Sequence, residues 1–134
     1  MTDETVDIFK NPSKESEPYA QEYDSFMQTF KKTQVSGEEV GELVMRLGHY
    51  FTTYNIKSIQ ALKEYSSVKA VYMNGVDPAT GKPMTASKAE VLADATPEAY
   101  KYQMARAHLQ NIEQCLNALK ALQRGVLFEY ANSA

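Results

Sequence analysis

The sequence predicts an all-α fold. Two long helices form an antiparallel hairpin, one further helix precedes them, and a short helix lies in the connection. Two observations support this prediction: apolar and aromatic residues recur at alternating spacings of four and three along two long segments, and helix-start signals stand directly before both segments. The first series is Val40, Val44, Leu47, Phe51, Tyr54, Ser58, Ala61, Tyr65, Val68 and Tyr72.

Aromatic residues predict the first helix, from about Glu17 to Thr33. Tyr19, Tyr23, Phe26 and Phe30 share one face at helical spacing. Residues 1–15 before this helix are polar, turn-prone and acidic, and we interpret them as an extended acidic arm. Residues 16–134 are interpreted as a single helical domain.

The second helix is predicted over residues 37–74. Ser36 and Glu39 have the spacing of a capping box, in which each side chain satisfies a backbone donor of the other residue. Asn74-Gly75 is typical of the left-handed turn that closes a helix, and Pro78 prevents the helix from resuming. At 1.5 Å per residue the helix is roughly 57 Å long, so we expect a partner of similar length.

The connection and the last helix carry their own signals. Residues 77–83 are rich in turn formers, and Ser87-Lys-Ala-Glu90 is a second capping box that predicts a short helix over 88–95. Thr96-Pro97-Glu98 begins a helix over 97–131, and the short connection makes the two long helices antiparallel. The spacing continues through Ala105, Leu109, Ile112, Leu116, Leu119, Val126 and Tyr130.

Apolar residues outside the two series predict association with other chains. Two long helices have broad faces, and one short first helix can cover only part of them. We therefore expect a homo-oligomer, or partner proteins in a larger assembly. The candidate partner-binding residues are Leu43, Leu62, Met73 and Met104.

Charge is distributed unevenly along the chain, whose net charge is −3. Residues 1–35 contain seven acidic and four basic residues, whereas residues 36–134 contain ten of each. Lysines near the hairpin tip are candidates for phosphate contacts, although a solvated helix surface is the favoured interpretation and the overall charge disfavours nucleic acid. These lysines are Lys57, Lys63, Lys69, Lys82 and Lys88.

The sequence predicts no enzyme, no cofactor and no metal site. The glycines before Lys82 do not have the spacing of a phosphate-binding loop, and Pro83 stands where that loop needs a hydroxyl. His49 and His108 have no second ligand at metal-binding spacing. Cys115, within an apolar helix, is interpreted as a core thiol.

The expected location is the host cytoplasm or the interior of a phage particle. Residues 1–9 contain three acids and no apolar run, which is unlike a signal peptide, and no stretch has the length of a membrane span. A single cysteine excludes an intrachain disulfide framework and disfavours a secreted protein.

One part of the chain resembles a known family. The segment Ser87-Lys-Ala-Glu-Val-Leu-Ala-Asp-Ala, followed by a long amphipathic helix ending Leu119-Lys-Ala-Leu-Gln-Arg-Gly125, is similar to the C-terminal half of the UvsY family of phage recombination mediators. The resemblance implies a small helical protein that forms rings and helps to load recombinase onto single-stranded DNA. It implies that Lys120, Arg124 and Gly125 match the basic and glycine positions that close the family's last helix.

Two functions are predicted. The first is a non-enzymatic, oligomeric helical interaction protein that serves as a phage structural or assembly component and packs against neighbouring subunits. The alternative is a UvsY-like recombination mediator that binds single-stranded DNA and recombinase. A neutral hairpin with an acidic arm is poorly suited to a polyanion, so the first function is favoured.

Overall fold

The protein is all-α. A computed structural model describes residues 17–33 and 35–133, with side chains up to residue 125. The helices in these ranges are α1 (Pro18–Lys32), α2 (Gly37–Met73), α3 (Ala86–Asp94) and α4 (Pro97–Ser133), and no strand occurs among them. The predicted acidic arm at 1–15 lies outside the described residues.

Both long helices begin where the sequence predicts. The Ser36 hydroxyl accepts a hydrogen bond from the backbone N–H of Glu39 at 3.2 Å, and α2 begins at the next residue after Ser36. The Thr96 hydroxyl accepts from the backbone N–H of Ala99 at 3.3 Å, directly before the start of α4. These hydroxyls satisfy donors that the first helical turn leaves unpaired.

The short helix α3 begins two residues earlier than predicted. Thr85, not Ser87, is its N-cap, because the Thr85 hydroxyl accepts from the backbone N–H of Lys88 at 3.3 Å while its own backbone is extended. Ser87 lies inside the first turn. Two hydroxyl residues stand near this helix start, and the one whose backbone leaves the turn in an extended conformation is the cap.

The end of α2 also differs from the prediction. Gly75 does not adopt a left-handed backbone, and Gly81, with φ 68°, is the residue with positive φ in the described part of the chain. The N–H of Gly75 donates to the carbonyl of Tyr72 at 3.2 Å, and the carbonyl of Gly75 accepts from the N–H of Met84 at 3.0 Å. Both backbone groups of Gly75 are therefore paired without a left-handed residue, because the connection returns beside the helix end.

The described residues divide into two compact units. In the first unit, α1 packs with the first part of α2, up to Phe51, and with the last part of α4, from Asn111. Arg46 on α2 bonds Glu22 on α1 at 2.9 Å, and the rings of Tyr19 and Tyr50 lie 6.3 Å apart. The most deeply buried side chains of this unit are Tyr19, Val35, Val40, Leu43, Leu47, Ile112 and Leu119.

The second unit contains the rest of α2, the connection, α3 and the first part of α4. Here the two long helices are antiparallel, as predicted. Tyr54 contacts His108 at 5.0 Å between ring centroids, and Tyr65, further along α2, contacts Tyr102, earlier on α4, at 5.9 Å. Its core is built mostly from small residues, with Tyr54, Ser58, Ala61, Ala89, Ala93, Ala99 and Ala105 buried.

The predicted helix series form the inward faces of both units. Every member of the α2 series from Val40 to Tyr72 is buried or half-buried, and so are the α4 residues from Ala105 to Leu119 that share the spacing. The side chains of Val126 and Tyr130 lie outside those described. Both α2 and α4 contribute to each of the two units. The single domain over 16–134 stays a prediction.

Candidate interaction surfaces

Large exposed apolar side chains are concentrated in the second unit. Leu62, Met73 and Met104, three of the predicted partner-binding residues, are 42%, 46% and 39% exposed. Among the described residues of the first unit, Met45 is the one large hydrophobic side chain that is exposed. The exposed set of the second unit comprises Ile56, Ile59, Leu62, Val71, Met73, Val76, Val91, Leu92, Tyr100 and Met104.

Leu43 does not belong to this surface. It is fully buried in the first unit, together with Val40 and Leu47, which precede and follow it by one helical turn. At this end of α2 the helix α1 provides a third packing partner, so the buried face is wider than a two-helix seam. The sequence placed Leu43 outside the seam because the position of α1 was not known.

A second row of residues follows the inward series of α2 at a distance of one residue. In the second unit we call this set the outer row, and it contains Asn55, Ile59, Leu62, Ser66, Lys69 and Met73. All of them are exposed except Lys69, which is half-buried. Because a helix turns by about 100° per residue, the outer row is rotated by that angle from the seam and keeps its 4,3 spacing. Such a row can pack against a further helix.

The five candidate phosphate-binding lysines have different environments. Lys88 contacts both carboxylate oxygens of Asp77 at 2.8 Å. Lys69 lies 3.6 Å from Glu90, whereas Lys57 lies over the ring of Tyr54 at 4.8 Å from its centroid. The remaining two, Lys63 and Lys82, are exposed. The five lysines therefore do not share one environment. Lys88 has a structural role, because it joins α3 to Asp77 in the connection.

Asp77 organises the connection, and the sequence did not identify it. The residue is 7% exposed. Its carboxylate accepts hydrogen bonds from the ammonium of Lys88 and, at 2.9 Å, from the backbone N–H of Ala79. Its backbone N–H donates to the carbonyl of Lys82 at 2.8 Å. The hydrogen bond from Lys88, followed by that from Ala79, lowers the pKa of Asp77. The available signal was Asp before Pro in a turn-rich run, which marks an Asx turn but not its lysine partner.

Aromatic and charged groups form a cluster where α2, α3 and α4 meet in the second unit. The rings of Tyr65 and Tyr102 are stacked, and the Tyr65 hydroxyl donates to the carboxylate of Asp94 on α3. Lys69 and Arg106 lie over the rings at 5.8 Å and 5.6 Å. The hydrogen bond to Asp94 raises the pKa of Tyr65 to about 12. The stacked pair thus joins the inward face of α2 to α4 through Tyr65 and Tyr102.

A cleft of about 340 Å³ lies in the first unit between α1 and α4. Tyr19, Tyr23, Asn111, Gln114 and Cys115 line it, together with Ala20. Burial raises the pKa of the Cys115 thiol, which disfavours the thiolate that nucleophilic chemistry requires. The environment of Cys115 therefore suits a packed thiol better than a reactive one.

No group of three or more His, Cys, Asp and Glu side chains lies close enough to hold a metal ion in residues 17–33 and 35–133. None of the helices described combines the length and the apolar character that crossing a membrane requires.

Comparison with known proteins gives no relative. No protein-family model, no curated protein and no solved structure matches this chain.

Proposed function

We propose that this protein is a non-enzymatic helical interaction protein that packs against neighbouring subunits as a structural or assembly component of a phage particle. The observation that carries the proposal is the set of exposed apolar side chains on α2 and α4 of the second unit. Removing such a surface from water on contact with another chain is favourable at about 25 cal/mol per Å². The phage setting rests on the resemblance of the segment after Ser87 to the UvsY family.

Sedimentation of a double variant tests association. Leu62→Lys with Met73→Lys places two charges on the exposed surface, so we expect a fall of about tenfold or more in the affinity for the neighbouring subunit, with little loss of folding stability. Gln60→Lys with Ser67→Lys is the matched control, since both of these exposed residues lie on α2 and neither is apolar. Equal sedimentation of the two variants would contradict the role of the apolar surface.

Mass spectrometry of purified particles tests the phage setting. A structural component is expected in washed virions or in assembly intermediates at a fixed copy number. An assembly partner outside a virion would be captured by the wild-type protein and lost with the Leu62→Lys, Met73→Lys variant. Absence from particles, together with a monomer that captures no partner, would contradict the proposal.

Recombination mediation is the second candidate, and one observation favours it. Residues 52–110, which form the second unit, contain seven basic and five acidic residues, although the whole chain is acidic. Binding of labelled single-stranded DNA should then weaken steeply as salt increases, because each phosphate contact releases a counterion. Lys63→Glu with Lys82→Glu should reduce that binding, and Lys120→Glu should reduce it too if the resemblance holds. Salt-independent or absent binding would exclude this candidate.

A further inference from the structure

We propose that α2 carries the interface of an antiparallel homodimer, in which the outer row of one copy packs along α2 of a second copy. This inference rests on the proposed function and deepens it, because it names the neighbouring subunit and the register of the contact. Three properties of α2 carry it: the spacing of the exposed residues, the sizes of their side chains, and the positions of their charges.

The spacing of the outer row continues along the first part of α2. Thr52, Gly48 and Met45 precede Asn55 at intervals of three, four and three, and Glu38 extends the same series two steps further. Thr52 is exposed, Gly48 is half-buried, and Met45 is 77% exposed. A helix with two rows at heptad spacing can pack on two sides, and the inward seam uses only one of them.

Side-chain sizes favour one antiparallel register. When Thr52 of one copy lies opposite Asn55 of the second copy, Met45 lies opposite Leu62 and Gly48 lies opposite Ile59. The glycine leaves space for the isoleucine, since a Cβ added at Gly48 would meet nothing within 4 Å. A polar pair at the centre of an apolar seam is a known means of fixing register in coiled coils.

The charges of α2 favour the same register. Its first turns carry the exposed acids Glu38 and Glu42, and its second half carries the basic residues Lys63 and Lys69. In the antiparallel register Glu42 lies beside Lys63 of the second copy, and Glu38 lies opposite Lys69. The two-fold axis repeats each pair. A parallel dimer would instead place acid beside acid and lysine beside lysine, which is unfavourable.

Disulfide cross-linking tests the antiparallel register directly. In a Cys115→Ser background, Met45→Cys protein is mixed with Leu62→Cys protein and oxidised under mild conditions. We expect a heterodimer joining positions 45 and 62, with little cross-linking in either protein alone. Cross-links between two copies of Met45→Cys protein would indicate a parallel or different pairing and would overturn the proposal.

A charge exchange tests the electrostatic contact in solution. Glu42→Lys and Lys63→Glu should each raise the dimer dissociation constant about fivefold to tenfold, and the double variant should recover most of that loss. Glu113→Lys is the control, because this exposed acid lies on α4 and changes the net charge as Glu42→Lys does. Failure of the double variant to recover the affinity would contradict the Glu42 and Lys63 contact.

The outcomes separate this inference from the proposed function. A dimer or larger species that does not join positions 45 and 62 would overturn the register while association through helix surfaces stands. A protein that stays monomeric at high concentration, yet enters particles or binds another chain, would overturn the homodimer alone. A monomer without any partner would overturn both.

Discussion

At the scale of single residues, Asp77 shows how a polar side chain can position a helix. Its carboxylate binds both the turn at Ala79 and the ammonium of Lys88 on α3, so the turn and the helix are joined through one residue. The lowered pKa of Asp77 means that its contribution to stability is present above its ordinary pKa of 3.8 and is lost as pH falls through the folded-state value. Near neutral pH this link is therefore intact.

Tyr65 gives the opposite pH dependence, at alkaline pH. Its pKa is about 12 in the folded chain and 10.0 ordinarily, so its contribution is present below pH 10.0 and is lost as pH rises towards 12. Tyr65→Phe should therefore reduce the fall in urea midpoint between about pH 8 and about pH 11. Tyr23, whose pKa burial also raises, should leave a residual fall.

The control for this measurement is Tyr102→Phe. It removes a hydroxyl from the other ring of the stacked pair and leaves the hydrogen bond between Tyr65 and Asp94 in place. We expect this variant to keep the alkaline fall of the parent protein. An unchanged fall in the Tyr65→Phe variant would show that its hydroxyl does not contribute.

At the scale of elements, the start of α3 allows a comparison of two nearby hydroxyls. Thr85→Ala removes the acceptor for the backbone N–H of Lys88 and should lower the free energy of unfolding by about 1 kcal/mol. Ser87→Ala, inside the first turn, should change it by less than about 0.5 kcal/mol. Urea unfolding followed by circular dichroism measures both. A larger effect for Ser87→Ala would restore the cap predicted from sequence.

The seam of α4 provides a second comparison within one helix. Ile112 is fully buried, whereas Leu116, one turn later and in the same series, is half-buried. Ile112→Ala should cost about 2 to 5 kcal/mol of unfolding free energy, and Leu116→Ala should cost less than about 2 kcal/mol, because less apolar surface is lost from the core. Equilibrium unfolding decides between them, and equal losses would contradict the difference in burial.

At the scale of the whole molecule, charge differs between the two units. Residues 52–110 have two more basic than acidic residues, although the net charge of the chain is −3. The remaining residues therefore carry the acidic excess, and part of it stands at the start of α2 in Glu38, Glu39 and Glu42. A chain with opposite charges on different segments attracts a second copy in an antiparallel arrangement, which agrees with the proposed dimer.

The sequence by itself determined the all-α class and the starts of the two long helices. The starts of α2 and α4 followed from hydroxyl caps and their course from the 4,3 spacing, which depend on residues close together in the chain. The inward face of α2 followed for the same reason, since side chains that recur at this spacing lie on one side of a helix. The exposed positions of Leu62, Met73 and Met104 also agreed with their place outside the series.

The tertiary structure decided the contacts that join distant residues. Leu43 is buried because α1 packs in the first unit, and Tyr65 meets Tyr102 because the register of α2 against α4 is set by packing. Thr85 caps α3 where the returning connection ends, and Lys88 reaches Asp77 across the turn. These features depend on which elements meet and at what offset, and local spacing does not contain that information.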